Sequence, residues 1–312
     1  MKYKIYKFEF QTAVHIGNGQ LTDAEHIIMA DTIFSALCHE ALNTGGVDML
    51  NRFVSLAKDR KIQISDGFPY LNNDSLYIPK PVLIMDLERK GDSKEKKLFK
   101  KLKYIPVDKL DDYLKGTINP KEETDELKAL GVFTVKEQAA VRGLEESMPY
   151  SVGSYQFNKD NGIYICVGYE DGCNELLEDL LKDLSYSGIG GKRSAGFGKF
   201  NMRFMSVPSS MEKRLTLEAS SKWMTISVSL PREEEMEDVL AEGYYGVIKR
   251  SGFVSSETFS DTHQKKKDLY MIQSGSCFSR KYEGDIYDVS FEGNHPVYRY
   301  GIPMFMGVGT YE

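Results

Sequence analysis

The sequence predicts an α+β fold made of two βαββαβ units, the first interrupted by an insertion of about 85–160. Three observations carry this expectation. An alternating apolar strand opens the chain and leads into an amphipathic helix. A second strand–helix–strand set follows the insertion. After Pro208 the strand pattern restarts in weaker form. Strand, helix, inserted strands, strand, helix, strand is the ferredoxin-like (RRM-like) order.

Each element has a local reason. Tyr3, Ile5, Phe8 and Phe10 make a strand-like run, followed by the turn-rich His15-Ile16-Gly17-Asn18-Gly19. From about Asp31 to Asn43, the residues Ile33, Phe34, Leu37, Cys38, Ala41 and Leu42 recur at helical spacing, with Asp31 read as the N-cap. The span from about Gly91 to Lys128 turns lysine-rich, then acidic, and reads as an exposed insertion with some helix. Ile163, Tyr164, Ile165 and Val167 restore a strand within Gly162 to Tyr169. Leu176, Leu177, Leu180, Leu181 and Leu184 then mark a helix from about Asn174 to Leu184, and Lys199 to Met205 closes the unit.

In the second unit, 208–312, Trp223 to Leu230 alternates as a strand and Glu233 to Glu242 reads as helix. Further strands are expected at Gly246–Val254, Tyr270–Cys277, Ile286–Phe291 and Ile302–Val308. This unit reads as a degenerate copy of the first, 1–207. A length of 312 residues suits two domains of about 100–200 residues each.

Composition narrows the class. Apolar residues at 41% suffice for ordinary cores. The four cysteines, Cys38, Cys166, Cys173 and Cys277, contain no CxxC pair, so they read as buried free thiols of a cytoplasmic protein rather than zinc ligands or a disulfide framework. The start carries no signal-peptide core, and no apolar run reaches the roughly 18 residues of a membrane span. The histidines lack metal-ligand spacing, so no metal and no cofactor are expected. A net charge of −6 is compatible with nucleic acid only if the basic residues are grouped locally.

Gly188 to Gly198, GIGGKRSAGFG, is the most informative segment. Five glycines in eleven residues free the backbone for positive φ and close approach, and Lys192 and Arg193 add charge. The order helix, loop, strand excludes a mononucleotide P-loop, which needs the helix after the loop. The expectation is a nest in which the amides of Gly190, Gly191 and Gly196, with Lys192, Arg193 and Ser194, hold phosphates of an extended strand. Phe197 offers a ring for a base or for the core.

Four segments, HIGNGQLTDAEHIIMADTIFSAL, FPYLNNDSLYIPKPVLI, GIGGKRSAGFGKF and HPVYRYGIPMFMGV, together resemble the RAMP superfamily of CRISPR proteins. More narrowly, they resemble the fourth-subunit family of type III-A (Csm) effectors. The resemblance implies two ferredoxin-like domains, a grip on the repeat-derived 5′ handle of the crRNA, and no catalysis. It also implies contact with the large Cas10-type polymerase/nuclease subunit and with the repeating RAMP backbone subunit. A β-hairpin thumb near target RNA is implied too, best matched by about Thr134 to Val152 with Arg142, Met148 and Tyr150.

Individual residues carry readings of their own beside this resemblance. His15 and Gly17, in the turn after the first strand, are candidates for RNA contact, as are Thr32 and Ser35 in the first helical turn. A competing function is a metal-independent, guide-processing endoribonuclease using His15, with His26 the nearest second histidine. A third is a protein-only scaffold. Asp23 has no visible partner. Arg250 is a candidate phosphate contact, whereas Lys265, Lys266 and Lys267 read as a solvated loop. Tyr298, Arg299 and Tyr300 combine aromatics and charge in a way common at interfaces.

Overall fold

The computed structural model describes residues 1–17, 19–84, 93–140, 148–256, 259, 262 and 264–309. The first half runs β1 (Lys2–Phe10), α1 (Ala30–Lys58), β2 (Ile62–Ile64), β3 (Phe68–Leu71), β4 (Ser75–Pro79), α2 (Ser93–Lys101) and β5 (Tyr104–Pro106). It continues with α3 (Leu110–Leu114), α4 (Pro120–Glu126), β6 (Gly131–Ala140), β7 (Met148–Phe157), β8 (Gly162–Tyr169), α5 (Asn174–Ser187) and β9 (Phe200–Met205). An antiparallel sheet of seven strands is ordered β5-β4-β3-β8-β1-β9, with β2 also pairing β8. Its centre, β9-β1-β8 beside β2 and β3, has the neighbour order of a βαββαβ unit, as expected.

Both faces of that sheet are covered, which explains why β8 reads as an unbroken apolar run rather than an alternation. Ile163, Ile165 and Val167 join Tyr6 and Phe8 against Ile33, Phe34 and Leu37 of α1 and the leucines of α5. Tyr164 and Cys166 point the other way, into a second core with Ile5, Met211, Met224, Ile226, Met304 and Met306. That second core draws on both halves of the chain. The expected boundary near 208 falls in the coil of residues 206–208.

The second half contains α6 (Ser209–Leu215), β10 (Trp223–Thr225), α7 (Glu233–Leu240), β11 (Val247–Arg250), β12 (Leu269–Ile272), β13 (Cys277–Phe278), β14 (Ile286–Asp288), β15 (Tyr298–Tyr300) and β16 (Phe305–Gly307). Its strands form the small sheets β13-β10-β16, β11-β12 and β14-β15. The strand expected at Trp223–Leu230 ladders only to Thr225. Beyond it the backbone bonds individually, Ile226 N–H to Met304 O and Leu230 N–H to Gly301 O.

Three expectations need correction. The first helix does not stop near Asn43: it kinks at Gly46, where φ is +66°, and resumes to bury Phe53, Val54 and Ala57 in the same core. Asp31 is not its N-cap. Met29 holds that position, and the Asp66 carboxylate accepts the Ala30 N–H at 2.7 Å. The lysine-rich span is not merely an exposed insertion. Leu102, Ile105, Val107, Leu110 and Tyr113 are buried in the second core, and β5 extends the main sheet. Three of the four cysteines are buried, while Cys38 is half-buried.

Candidate nucleic-acid interface

The glycine loop is laced to the chain that follows β1. Gly191 N–H donates to His15 O at 2.8 Å, and Gly198 N–H donates to Ala13 O at 2.9 Å. These approaches are what the glycines permit. A Cβ on Gly190, where φ is +95°, would lie 2.6 Å from His15 O, and one on Gly198 would lie 2.0 Å from Ile189 O. The expected amide nest is therefore corrected in part: Gly191 N–H serves His15, and Gly196 N–H serves Arg193 O at 2.9 Å. The loop instead offers side chains outward. Arg193 and Ser194 are exposed and Lys192 is half-exposed. The Phe197 ring is buried, which withdraws it from base stacking.

Two sequence candidates from different elements meet here. Lys192, in a left-handed conformation, places Nζ 4.7 Å from the centre of the Tyr150 ring on β7. Tyr150 Oη donates to Gln138 across the β6–β7 hairpin at 2.9 Å. Its two strands begin before and end after the expected Thr134–Val152, and they expose Val132, Phe133, Val135 and Met148. Arg142 lies outside the described residues.

Beside the loop, a cleft of about 730 Å³ opens between the two halves of the chain. Its lining includes eight of the sequence candidates: His15, Gly17, Thr32, Ser35, Gly190, Gly191, Arg193 and Arg250. One wall is a stripe of α1, Thr32, Ser35, Ala36 and His39, at the i, i+3, i+4, i+7 spacing of one helix face. The second half supplies Arg250, Lys266 and Arg299 from across the cleft.

Charge in the cleft runs opposite to that of the chain. Lys80, Lys103, Arg193, Lys249, Arg250, Lys266 and Arg299 line it, against Glu25, Asp31 and Asp66. Asp31 is buried and satisfies two guanidiniums. Arg250 donates to both its carboxylate oxygens, at 2.9 and 2.8 Å, and Arg299 donates at 2.7 Å. Burial pushes the Asp31 carboxyl up, but Arg250 and Arg299 more than offset this and hold it below the ordinary value. Arg250 also donates to the Thr32 hydroxyl at 2.9 Å, so both nominated residues are tied into this cluster.

His39 and Lys266 have no such partner: among the described residues neither side chain makes a hydrogen bond or ion pair. Burial lowers the His39 pKa, and the charges of Arg193 and Lys266 lower it further. Burial likewise lowers that of Lys266, aided by Arg299 and Arg250 and opposed by Asp31. Arg193 has only a 3.9 Å contact with Glu40. Arg193 and Lys266, two weakly compensated cations beside the His39 imidazole, form a site for an anion.

His15 is buried, with Nδ1 2.6 Å from Gly153 O. Nδ1 therefore donates to that carbonyl, which fixes the orientation of the ring. His26 packs elsewhere, its ring 5.2 Å from that of Tyr155. Among the described residues no group of three His, Cys, Asp or Glu side chains is placed to hold a metal, and no helix is long and apolar enough to cross a membrane.

Sequence reading missed His39, Lys266, Lys80 and Arg299 as members of this cleft. His39 was accessible in principle, because it completes the stripe begun by Thr32 and Ser35. Lys266 carried no such signal, since its loop reaches the cleft only through tertiary folding.

The profile of the RAMP superfamily matches residues 7–201, and that of the CRISPR Csm4 C-terminal domain matches residues 218–308. The chain is 37% identical over 309 residues to the CRISPR system Cms protein Csm4 of Mycobacterium tuberculosis, covering 99% of this chain and 98% of the relative. It is 33% identical over 319 residues to the protein of the same name from Streptococcus thermophilus, covering 98% of each. Among solved structures, its fold is similar to a chain of the Csm3–Csm4 subcomplex of the type III-A CRISPR-Cas interference complex. That match has TM-score 0.66 and 17% identity, with 98% of this chain and 99% of the other covered. It is also similar to a chain of the Csm1–Csm4 cassette in complex with AMPPNP, with TM-score 0.59, 18% identity and full coverage of both. With two profiles tiling its length, and relatives above 30% identity over nearly all of it, the chain belongs to the Csm4 family of the RAMP superfamily.

Proposed function

We propose that this chain is the structural RNA-gripping subunit of a type III-A CRISPR effector, holding the repeat-derived 5′ handle of the crRNA in the cleft between its halves. The observation that carries this reading is the cleft's excess of cations, with Lys266 unpaired among the described residues, in a chain of net charge −6. Neutral polar groups along one wall, Thr32 and Ser35, suit the sugar–phosphate backbone of a single strand. The β6–β7 hairpin, joined to the glycine loop through Tyr150 and Lys192, is the part that would approach target RNA.

Family membership and the assemblies named for its structural relatives, Csm1–Csm4 and Csm3–Csm4, support docking of the large Cas10-type subunit on one side and the RAMP backbone subunit on the other. The acidic remainder of the surface is then available for protein contacts. In this reading the chain acts in the cytoplasm and performs no catalysis of its own.

The competing ribonuclease reading rests on His15, a residue of the cleft wall whose ring is oriented by the Nδ1 bond to Gly153 O. Incubating purified chain with repeat-containing RNA separates the alternatives. Binding without cleavage supports the grip, and cleavage abolished by His15→Ala supports the enzyme. Absence of RNA affinity, alone and with its subunits, would leave only a protein scaffold.

A further inference from the structure

Helix α2 lies outside the cleft and is unlike the rest of the chain. Residues 94–103, KEKKLFKKLK, hold six lysines and one glutamate, a net +5, so the remaining residues sum to −6 − 5 = −11. Leu98 and Phe99 are half-buried and Leu102 is buried, which seats one side of the helix on the second core. Lys96, Lys97, Lys100 and Lys101 are exposed on the other side.

This lysine face is costly to the helix by itself. Lys96 and Lys100 stand at i, i+4, as do Lys97 and Lys101, and like charges at that spacing destabilise a helix by about 0.2–0.5 kcal/mol per pair. The acidic helix α4 packs beside α2, yet among the described residues none of these four lysines forms an ion pair. Among the described residues their charge is left uncompensated.

Lys80 Nζ donates to Phe99 O at 2.7 Å, and Lys80 N–H donates to Lys103 O at 2.9 Å. Lys80, Leu102 and Lys103 are themselves cleft-lining residues, so the chain enters the cleft wall directly after the C-terminal end of α2. The exposed Lys100 and Lys101 immediately precede the cleft-lining Leu102 and Lys103 in the chain.

We propose that α2 is a second phosphate-binding surface, a basic rail along which single-stranded RNA continues beyond the cleft. The proposal rests on the RNA reading of the cleft. From Lys96 to Lys103 the rail covers about 10 Å at the α-helical rise. It reads no base, because lysines meet phosphates as point charges. Its contribution is affinity, and that contribution depends on salt.

The test uses the full chain and two fluorescein-labelled oligouridylates. One is about 6 nucleotides long, within the size of a single-strand groove, and the other is about 20, long enough to run past it. Binding is followed by anisotropy across a KCl series for the native chain and for a variant carrying Lys96→Gln, Lys97→Gln, Lys100→Gln and Lys101→Gln. Far-UV circular dichroism and thermal unfolding check that the variant is folded, as exposed lysine-to-glutamine changes allow. The variant should bind the long RNA more weakly, with the slope of log K against log salt reduced by about 0.7 for each phosphate no longer neutralised, and by at least about 1.4 in total. The short RNA should bind both proteins alike.

Equal affinity and slope for the long RNA would overturn the rail while leaving the cleft assignment intact. If RNA binding is unchanged but the variant no longer assembles with its protein subunits, α2 is a protein-docking surface and the rail is wrong. Failure of the native chain to bind either RNA would remove the cleft reading and the rail with it.

Discussion

Asp31 and Arg299, 268 residues apart in the chain, meet at 2.7 Å in a buried ion pair, and Arg250 closes on the same carboxylate. The pair joins the first turn of α1 to β15 and so fixes the spacing of the cleft walls. Removing one partner from a buried charge cluster costs about 3–5 kcal/mol, because the remaining charges lose their compensation. Asp31→Ala should destabilise the chain by that amount in urea unfolding. A loss below about 1 kcal/mol would show that the cluster does not hold the halves together.

Arg193 and Lys266 face the cleft from opposite halves, one barely paired and the other unpaired among the described residues. Replacing both with alanine should weaken RNA binding and reduce the salt slope by about 1.4, two single-strand phosphate contacts. Unfolding should shift little, since neither side chain closes a buried network. An unchanged slope would place the phosphates elsewhere.

His39 gives the site a pH signature. Burial, Arg193 and Lys266 keep its pKa low in the free protein, whereas a bound phosphate favours the imidazolium. RNA binding therefore takes up a proton, and affinity should rise as pH falls from about 7 to 5.5. His39→Gln should flatten that profile. Parallel pH profiles for the two proteins would exclude His39 from contact with the phosphate.

Asp66 governs stability rather than binding. Its carboxylate accepts the N–H groups of Ala30 and Val228, tying the two halves together. Burial pushes its pKa from 3.8 up to about 6, more than those hydrogen bonds and one from Ser274 pull it down. The folded state thus holds this proton more tightly than the unfolded chain. The resulting stability is full below pH 3.8 and lost as pH rises toward 6. Asp66→Asn keeps an acceptor oxygen and removes the titration. Its stability relative to the native chain should climb by up to about 3 kcal/mol between those pH values and then level off. A pH-independent difference would contradict this account.

Much of the first unit was legible because its signals are local. The leucine stripe of α5 and the apolar run of β8 state their own periodicity, and GIGGKRSAGFG marks a loop where only glycine tolerates the backbone approach. The second half was harder to read. Its strands are as short as the two residues Cys277–Phe278, and much of its extended backbone bonds to loops rather than to ladder partners. In the lysine-rich span, charged residues outnumber the few apolar ones, so composition pointed to solvent. Leu102, Ile105, Leu110 and Tyr113 nevertheless reach a core built by residues far away in sequence.

The sequence by itself determined the strand–helix order, the family resemblance and the glycine loop, because each depends on residues close together in the chain. Only the tertiary structure decided how those parts are used. It took the Gly191 and Gly196 amides for internal hydrogen bonds, buried Phe197 and moved Asp31 from helix cap to the centre of an arginine cluster. It also placed His39 and Lys266, from opposite halves, beside Arg193 in one cleft. Hydrogen-bond satisfaction and charge compensation are properties of neighbours in space. Neighbours 200 residues apart leave no periodicity in the chain from which they can be read.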